Sequence, residues 1–473
     1  MKNPRSLLPV AGVVVAVVVA VATAFALGMF SSNSTRPQAN AVWRMYMGDL
    51  GRTGFAARET SISASNVHSL KQRWLVPGKA SISDQATSAD GLLYWGSWDG
   101  YEHASKPGSG QEVWRTYIGQ ETKHDCVPQH LGVGSSAAVS SIRLDGRAVP
   151  VLFVGGGNGS VYALRAATGQ VVWSRNFGSP KDGWFIWSSP AVYRGSIYVG
   201  VASIGACPLV RGALVRLDAA TGAVQARFDT VEKGCIGASV WGSPAIDVSA
   251  GTVYATTGNS GGACTKHEPY AESVLQLSAD DLTLQGWWRT PPAQRVPDGD
   301  FGSSPTLFTA VIGGKPTKLV GAVNKNGIYY AFRRDHLADG PVWQTPRLSP
   351  VIGTIASSAW DGNRLYIAGG STRLDGRRCD ASVRAVDPAS GKYLWQDCVR
   401  GGMTNAALTA VPGVVFESAG PILYAFRATD GKELFTFQDE ASDWIYSPAT
   451  VVGGTLYVGS SGGNLYALSP GGS

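Results

Sequence analysis

The sequence predicts an all-β fold, an eight-bladed β-propeller closed by an N-terminal strand, and three observations carry that prediction. Of 473 residues 60 are Gly and 15 are Trp, and only 16% are charged, which suits many short strands joined by tight turns. A turn signal, Gly three or four residues before a large ring, recurs as SGQEVW, TGQVVW, DGPVW, SGKYLW and DGKELF. The recurrence has a spacing of about 40 to 60 residues with room for four short strands per unit, the period of propeller blades.

The N-terminus comes first in chain order. Lys2 and Arg5 precede an uncharged apolar run from Leu7 to about Phe30, the pattern of an export signal. The run matches the roughly 20 residues that span a bilayer, so residues 1–30 fit both a signal peptide, cut after Ala39–Ala41, and a retained membrane anchor through residues 7–30. Either reading places the protein in the periplasm or outside the cell. Residues 31–41 are polar and read as a linker, and residues 42–473 as the propeller.

The blades are expected near 80–119, 134–178, 186–229, 240–290, 301–346, 354–400, 403–438 and 443–469. In each, Gly at the turn tolerates positive φ, and the following ring docks on the neighbouring blade. The docking positions are read as Trp114, Trp173, Trp287, Trp343, Trp395 and Phe435, with Ala226 a departure in the third unit. The last unit lacks a fourth strand. SNVHSLKQRWLVPG, with Trp74 at the docking position, supplies it and closes the ring.

From Val42 onward 37 basic residues face 34 acidic ones, a balance too even and too scattered for nucleic-acid binding. Six cysteines, at 126, 207, 235, 264, 379 and 398, suit disulfides in an exported chain. Cys207 and Cys235 lie in loops of consecutive units and Cys379 and Cys398 repeat that relation, so both are expected as pairs, leaving Cys126 with Cys264. A rival reading makes His124, Cys126, Cys264 and His267 a zinc site. No C-x-x-C-H is present, so no covalently attached c-type haem is expected, and neither a P-loop nor H-E-x-x-H occurs.

The repeats, together with VWRMYMGDLGRTGFAARETSISASNVHSLKQRW at the head of the propeller, resemble pyrroloquinoline quinone (PQQ) enzymes, the quinoprotein alcohol dehydrogenases, and within them the polyvinyl-alcohol-dehydrogenase-like proteins. The resemblance implies a PQQ-dependent alcohol dehydrogenase. Under it, DGDFGSSPTL places Asp300 as catalytic base, AVNKNGIYYAF places Lys325 beside the quinone, SVWGSPAI places Trp241 beneath it, and ATTGNSGG places Asn259 as a metal ligand. Calcium is the implied metal, but in SIGACPLVRGALV Cys207 stands where the family has a carboxylate. Without a haem motif, electrons would pass to a separate acceptor. Singly, these residues also suit plain structural roles: Asp300 capping a turn with Ser303 and Ser304, Trp241 in the core, Asn259 in a turn, Lys325 in solvent. The alternative function is a non-catalytic envelope scaffold that binds a protein or polymer, since scaffold propellers use the same blade.

Overall fold

The computed structural model describes residues 42–121, 128–205, 208–262, 264, 268–349 and 354–471. The cysteines Cys126 and Cys207, the histidines His124 and His267, and the apolar run at 7–30 lie outside them. Among the described residues no helix is long and apolar enough to cross a membrane. Eight antiparallel blade sheets follow one another along the chain, the first seven built in sequence order from their inner to their outer strand. Blade 4, for example, comprises Ala245–Asp247, Thr252–Thr256, Ser273–Ser278 and Leu284–Arg289, and blade 5 Thr306–Ile312, Lys315–Val323, Tyr329–Arg333 and Pro341–Gln344. The eighth blade is completed as expected: Leu70–Val76 pairs antiparallel with Leu465–Pro470, with Trp74 opposite Ala467.

Blade-to-blade docking follows from the turn signal. The indole N–H groups of Trp74, Trp114, Trp343 and Trp395 donate to main-chain oxygens of Pro107, Ala166, Pro388 and Ala428 at 2.9–3.0 Å. Each ring lies on the turn glycine of the next blade. A Cβ at Gly391, whose φ is +72°, would come within 2.5 Å of the Trp343 ring, so glycine is required there for both space and backbone. The outer strands bulge just before the docking residue, and this register corrects the sequence reading of blade 4. There the docking position belongs to Gly286, while Trp287 is 37% exposed and Trp288 packs on Tyr330 and Phe332. The blade 4 turn explains the slip: it uses Leu282 at φ +60° where other turns have Gly, and buried Leu282 fills the space against Ala226 that a ring occupies elsewhere.

Two devices hold the inner ends together. A chain of main-chain N–H to serine Oγ bonds, each 2.7–2.9 Å, runs from Gln85 to Ser136, Ser189, Ser243, Ser304 and Ser357, so the serine before each inner strand satisfies the amide of the preceding blade. The segment from Trp43 to Ala56 then laces the inner strands. Its carbonyls at Arg44, Leu50, Gly51, Thr53 and Gly54 accept from Val139, Ile246, Leu307, Trp360 and Ala410 at 2.7–2.8 Å. Arg52 within it is fully buried, and its guanidinium donates to Tyr46, Ser189, Pro190 and Pro244 carbonyls.

Blade 1 buries two acids. Asp84 accepts from the Gly96 amide, and burial pushes its pKa up to about 8. Glu102 is raised well above its ordinary range by burial and by Asp84. The folded state thus keeps a proton on Asp84 that the unfolded chain releases above about pH 4. Stability contributed by this proton is full below that pH, is lost as pH rises toward 8, and then levels off.

Two outcomes are expected. Asp84→Asn should flatten the alkaline fall in Tm, leaving the variant more stable relative to wild type at pH 9 than at pH 5; parallel pH profiles would refute the assignment. Trp343→Ala should cost about 3–5 kcal/mol in denaturant unfolding, whereas Trp287→Ala should cost less than about 1 kcal/mol; equal costs would return Trp287 to the docking position.

Candidate functional site

Four residues singled out in the sequence come together where blades 4 and 5 meet. Trp241 precedes the Ser243 link of the serine chain, and Asp300 precedes the Ser304 link. Asn259 follows strand Thr252–Thr256, and Lys325 follows strand Lys315–Val323. The Lys325 turn is set by its neighbours: Asn324 Oδ1 accepts from the Asn326 amide at 2.8 Å, Asn326 Nδ2 donates to the Tyr330 hydroxyl, and Gly327 takes φ +83°. The Lys325 amide in turn donates to the Asp300 carbonyl at 2.9 Å, locking the two segments together.

The side chains form one connected group. Asp300 is 3% exposed; its Oδ2 accepts from Trp241 Nε1 at 3.2 Å and its Oδ1 lies 2.8 Å from Lys325 Nζ. Lys325 Nζ also reaches Asp298 Oδ1 at 2.9 Å and sits 5.0 Å from the Trp241 ring centre. Asn259 Nδ2 donates to the same Asp298 Oδ1 at 2.6 Å. Burial raises the Asp300 pKa even against the neighbouring ammonium. Lys325 is raised: the two carboxylates outweigh its own desolvation. A buried carboxylate with an elevated pKa beside an aromatic face and a cation is an arrangement able to take a proton from a ligand lying on Trp241.

Asp300 does not cap its turn. Ser303 Oγ bonds the Val323 main chain, and Ser304 Oγ accepts from the Ser243 amide. Asp298 is the member that sequence reasoning left out of the set. Its signal was present in the Asp-Gly-Asp pattern, and its φ of +51° is a strained value for a non-glycine residue that turns its carboxylate back toward Lys325. The cavity of about 590 Å³ built by Val42, Arg44, Leu50, Ile246, Leu307 and neighbouring residues shares no residue with this group.

The expected Cys379–Cys398 bridge is present, and the other cysteine expectations need correction. Cys235 is bonded to Cys264, and Cys379 to Cys398. Cys235 therefore does not pair with Cys207, and Cys264 is neither the partner of Cys126 nor a zinc ligand. The reason is local: the segment leading into blade 4 runs beside the loop between that blade's second and third strands, with Ala238 N donating to Asn259 O and Gly258 N to Ser239 O, both at 2.7 Å. The disulfide thus staples the Trp241 segment to the Asn259 loop. Cys398 instead lies on the outer strand Tyr393–Val399 and Cys379 on the hairpin strand Arg377–Cys379 of its own blade, so the two bridges do not repeat one relation.

Comparison with known proteins matches residues 43–346 to the family of the glucose/ethanol/alcohol dehydrogenase β-propeller domain, and residues 326–473 to that of the outer membrane protein assembly factor BamB. A polyvinylalcohol dehydrogenase of Pseudomonas sp is 27% identical over 436 residues, covering 81% of this chain and 65% of the relative. A second, from Sphingopyxis sp. (strain 113P3), is 25% identical, covering 79% of this chain and 63% of the relative. The chain therefore spans just under two thirds of the length of these relatives. The solved quinohemoprotein alcohol dehydrogenase of Comamonas testosteroni superposes with a TM-score of 0.72 at 18% identity, over 96% of this chain and 84% of the other.

Because burial already favours the neutral acid at position 300, Asp300→Asn should leave Tm at neutral pH unchanged or higher. A drop of several degrees would mean that the ion pair with Lys325 outweighs the burial of the carboxylate.

Proposed function

The chain belongs to the glucose/ethanol/alcohol dehydrogenase β-propeller family, and from that premise we propose that it is an exported PQQ-dependent dehydrogenase of a secondary or polymeric alcohol. The observation that carries the reading is the convergence of Trp241, Asp300 and Lys325 on one spot. The polyvinylalcohol dehydrogenases among its relatives favour the substrate class by their names. The basic-then-apolar N-terminus favours export.

The residues fit a flat, anionic quinone. Trp241 offers a ring face, and glycine at 302 leaves room for that ring, since a Cβ there would come within 2.5 Å of it. Bound on that face, the quinone would supply the electron sink that accepts hydride from the alcohol carbon. Asp300 acts on the alcohol itself: its carboxylate takes the hydroxyl proton, and its raised pKa makes it a stronger base than a solvated aspartate. Trp241 Nε1–H and Lys325 fix the carboxylate's two oxygens, so the accepting lone pair has a set direction. Lys325 links buried Asp300 to Asp298, whose side chain is 57% exposed, giving the proton a charged route toward solvent. As this sequence carries no C-x-x-C-H, electrons would leave to an acceptor outside its residues.

The scaffold reading has one observation behind it, the BamB match over residues 326–473. Trp241, Asn259, Asp300 and Lys325 all precede that stretch and fall within the dehydrogenase match, which is why the enzyme reading leads.

The test is dye reduction by purified protein supplied with PQQ and a panel of secondary alcohols and polyvinyl alcohol. Turnover is expected, falling about 10²–10⁴-fold in Asp300→Asn with the fold intact. No turnover with any alcohol, together with capture of an envelope protein by the same preparation, would put the scaffold first.

A further inference from the structure

The family resemblance brings calcium with it, and the residues around Asp300 do not fit that ion. Calcium takes about six to eight oxygen ligands. Here Lys325 Nζ donates to Asp298 Oδ1 at 2.9 Å and forms an ion pair with Asp300 Oδ1 at 2.8 Å, so its charge fills the space between the two carboxylates, and Asp300 Oδ2 accepts from the Trp241 N–H. Asn259 turns its amide nitrogen to Asp298. Asp298 Oδ2, Asn259 Oδ1 and the buried Asp300 Oδ1, which accepts no hydrogen bond, are what remains in this set, and the ammonium already stands against the last of them. Nor is there space beside Asp300 for another carboxylate. A Cβ at Gly302 would come within 2.5 Å of both Trp241 and Ile355, and one at Gly258 within 3.2 Å of Asp300 Oδ2. Among the described residues no group of three or more His, Cys, Asp or Glu side chains is placed to hold a metal ion.

The same geometry supplies a different cation. Lys325 is 15% exposed at its side chain, and its ammonium stands 5.0 Å from the Trp241 ring centre. An ammonium has three N–H donors. One is donated to Asp298, the charge is paired with Asp300 at 2.8 Å, and an N–H is left for an acceptor atom of a ligand lying on the indole. Asp298 is the positioning residue: it binds Lys325 and Asn259 through one oxygen and carries a left-handed backbone to do so.

We propose that Lys325, clamped between Asp298 and Asp300, is the resident cation of this site, and that it binds a PQQ-type anionic quinone without a divalent metal. The inference rests on the quinone-binding reading above but makes a separate claim about what neutralises the ligand. An ammonium anchored by two carboxylates cannot be removed by a chelator, whereas a calcium ion held by two or three protein oxygens can.

The experiment is a titration of the intact protein with PQQ, followed by quenching of tryptophan fluorescence, after exhaustive EDTA treatment and again with excess calcium or magnesium. The two dissociation constants should agree within ~3-fold, less than 1 kcal/mol apart. Lys325→Gln should weaken binding ~10-fold or more in both buffers, with Tm confirming that the variant is folded. Asp298→Asn should weaken it by less and not restore a metal requirement. Binding that calcium tightens ~10-fold or more in the wild type would overturn the proposal while leaving the quinone reading in place. An absence of PQQ binding in every buffer would overturn both. The wild-type comparison needs no variant to fold, so the outcome does not depend on tolerance at position 325.

Discussion

Arg52 is charged, fully buried, and solvated by the protein's own main chain, and the ring is arranged around that fact. Removing a guanidinium from water costs several kcal/mol unless its donors are met. Four carbonyls meet them, from Tyr46 beside it and from the approaches to two inner strands, Ser189, Pro190 and Pro244. Burial holds the pKa down to about 10, still far enough above neutrality to keep the charge. These carbonyls converge only if blades 3 and 4 stand at a fixed spacing, so a single side chain checks the geometry between those two blades. The lacing carbonyls of residues 43–54 then extend that constraint to blades 1, 2, 4, 5, 6 and 7.

Against so regular a frame, irregularities mark where the repeat gives way to chemistry. The ring-on-glycine docking fails at two successive blades, where Ala226 and Gly286 take the docking position. Those blades flank the Trp241 segment. The serine chain continues through them without a break, so the residues just ahead of Ser243 and Ser304 are held by regular architecture while their side chains are free to differ. Trp241 and Asp300 use that freedom, and the Cys235–Cys264 bridge fixes the loop opposite.

Much of this was legible in the sequence, because blade architecture is written in local chemistry. Gly before a ring and an orphan strand around Trp74 each have one physical meaning, and the eight units and their closure follow. Asp300, Lys325, Trp241 and Asn259 were legible as a set, through resemblance and order along the chain. What stayed hidden depended on relations that spacing does not encode. Trp287 and Trp288 differ by one residue, and only the strand register tells which faces the neighbouring blade. Cys235 has several partners at plausible separations, and only the adjacency of two loops selects Cys264. Asp298 was given no role because the one it has lies in a backbone angle.

The pairing of Leu70–Val76 with Leu465–Pro470 also bears on how the molecule comes to exist. The first strand of the propeller is made before its other blades, and its partner after them. Until then the ring has two open edges, one at each end of the arc of blades, and each is a template for pairing with another copy. Closure between such distant segments is a contact of very high sequence separation, slow to form and exposed to aggregation while it waits. The blades between can assemble one upon another as they emerge, much as repeat proteins do. The final strand therefore acts as a seal of completeness: a chain truncated before Leu465 could form most of its blades and still remain an open, adhesive arc.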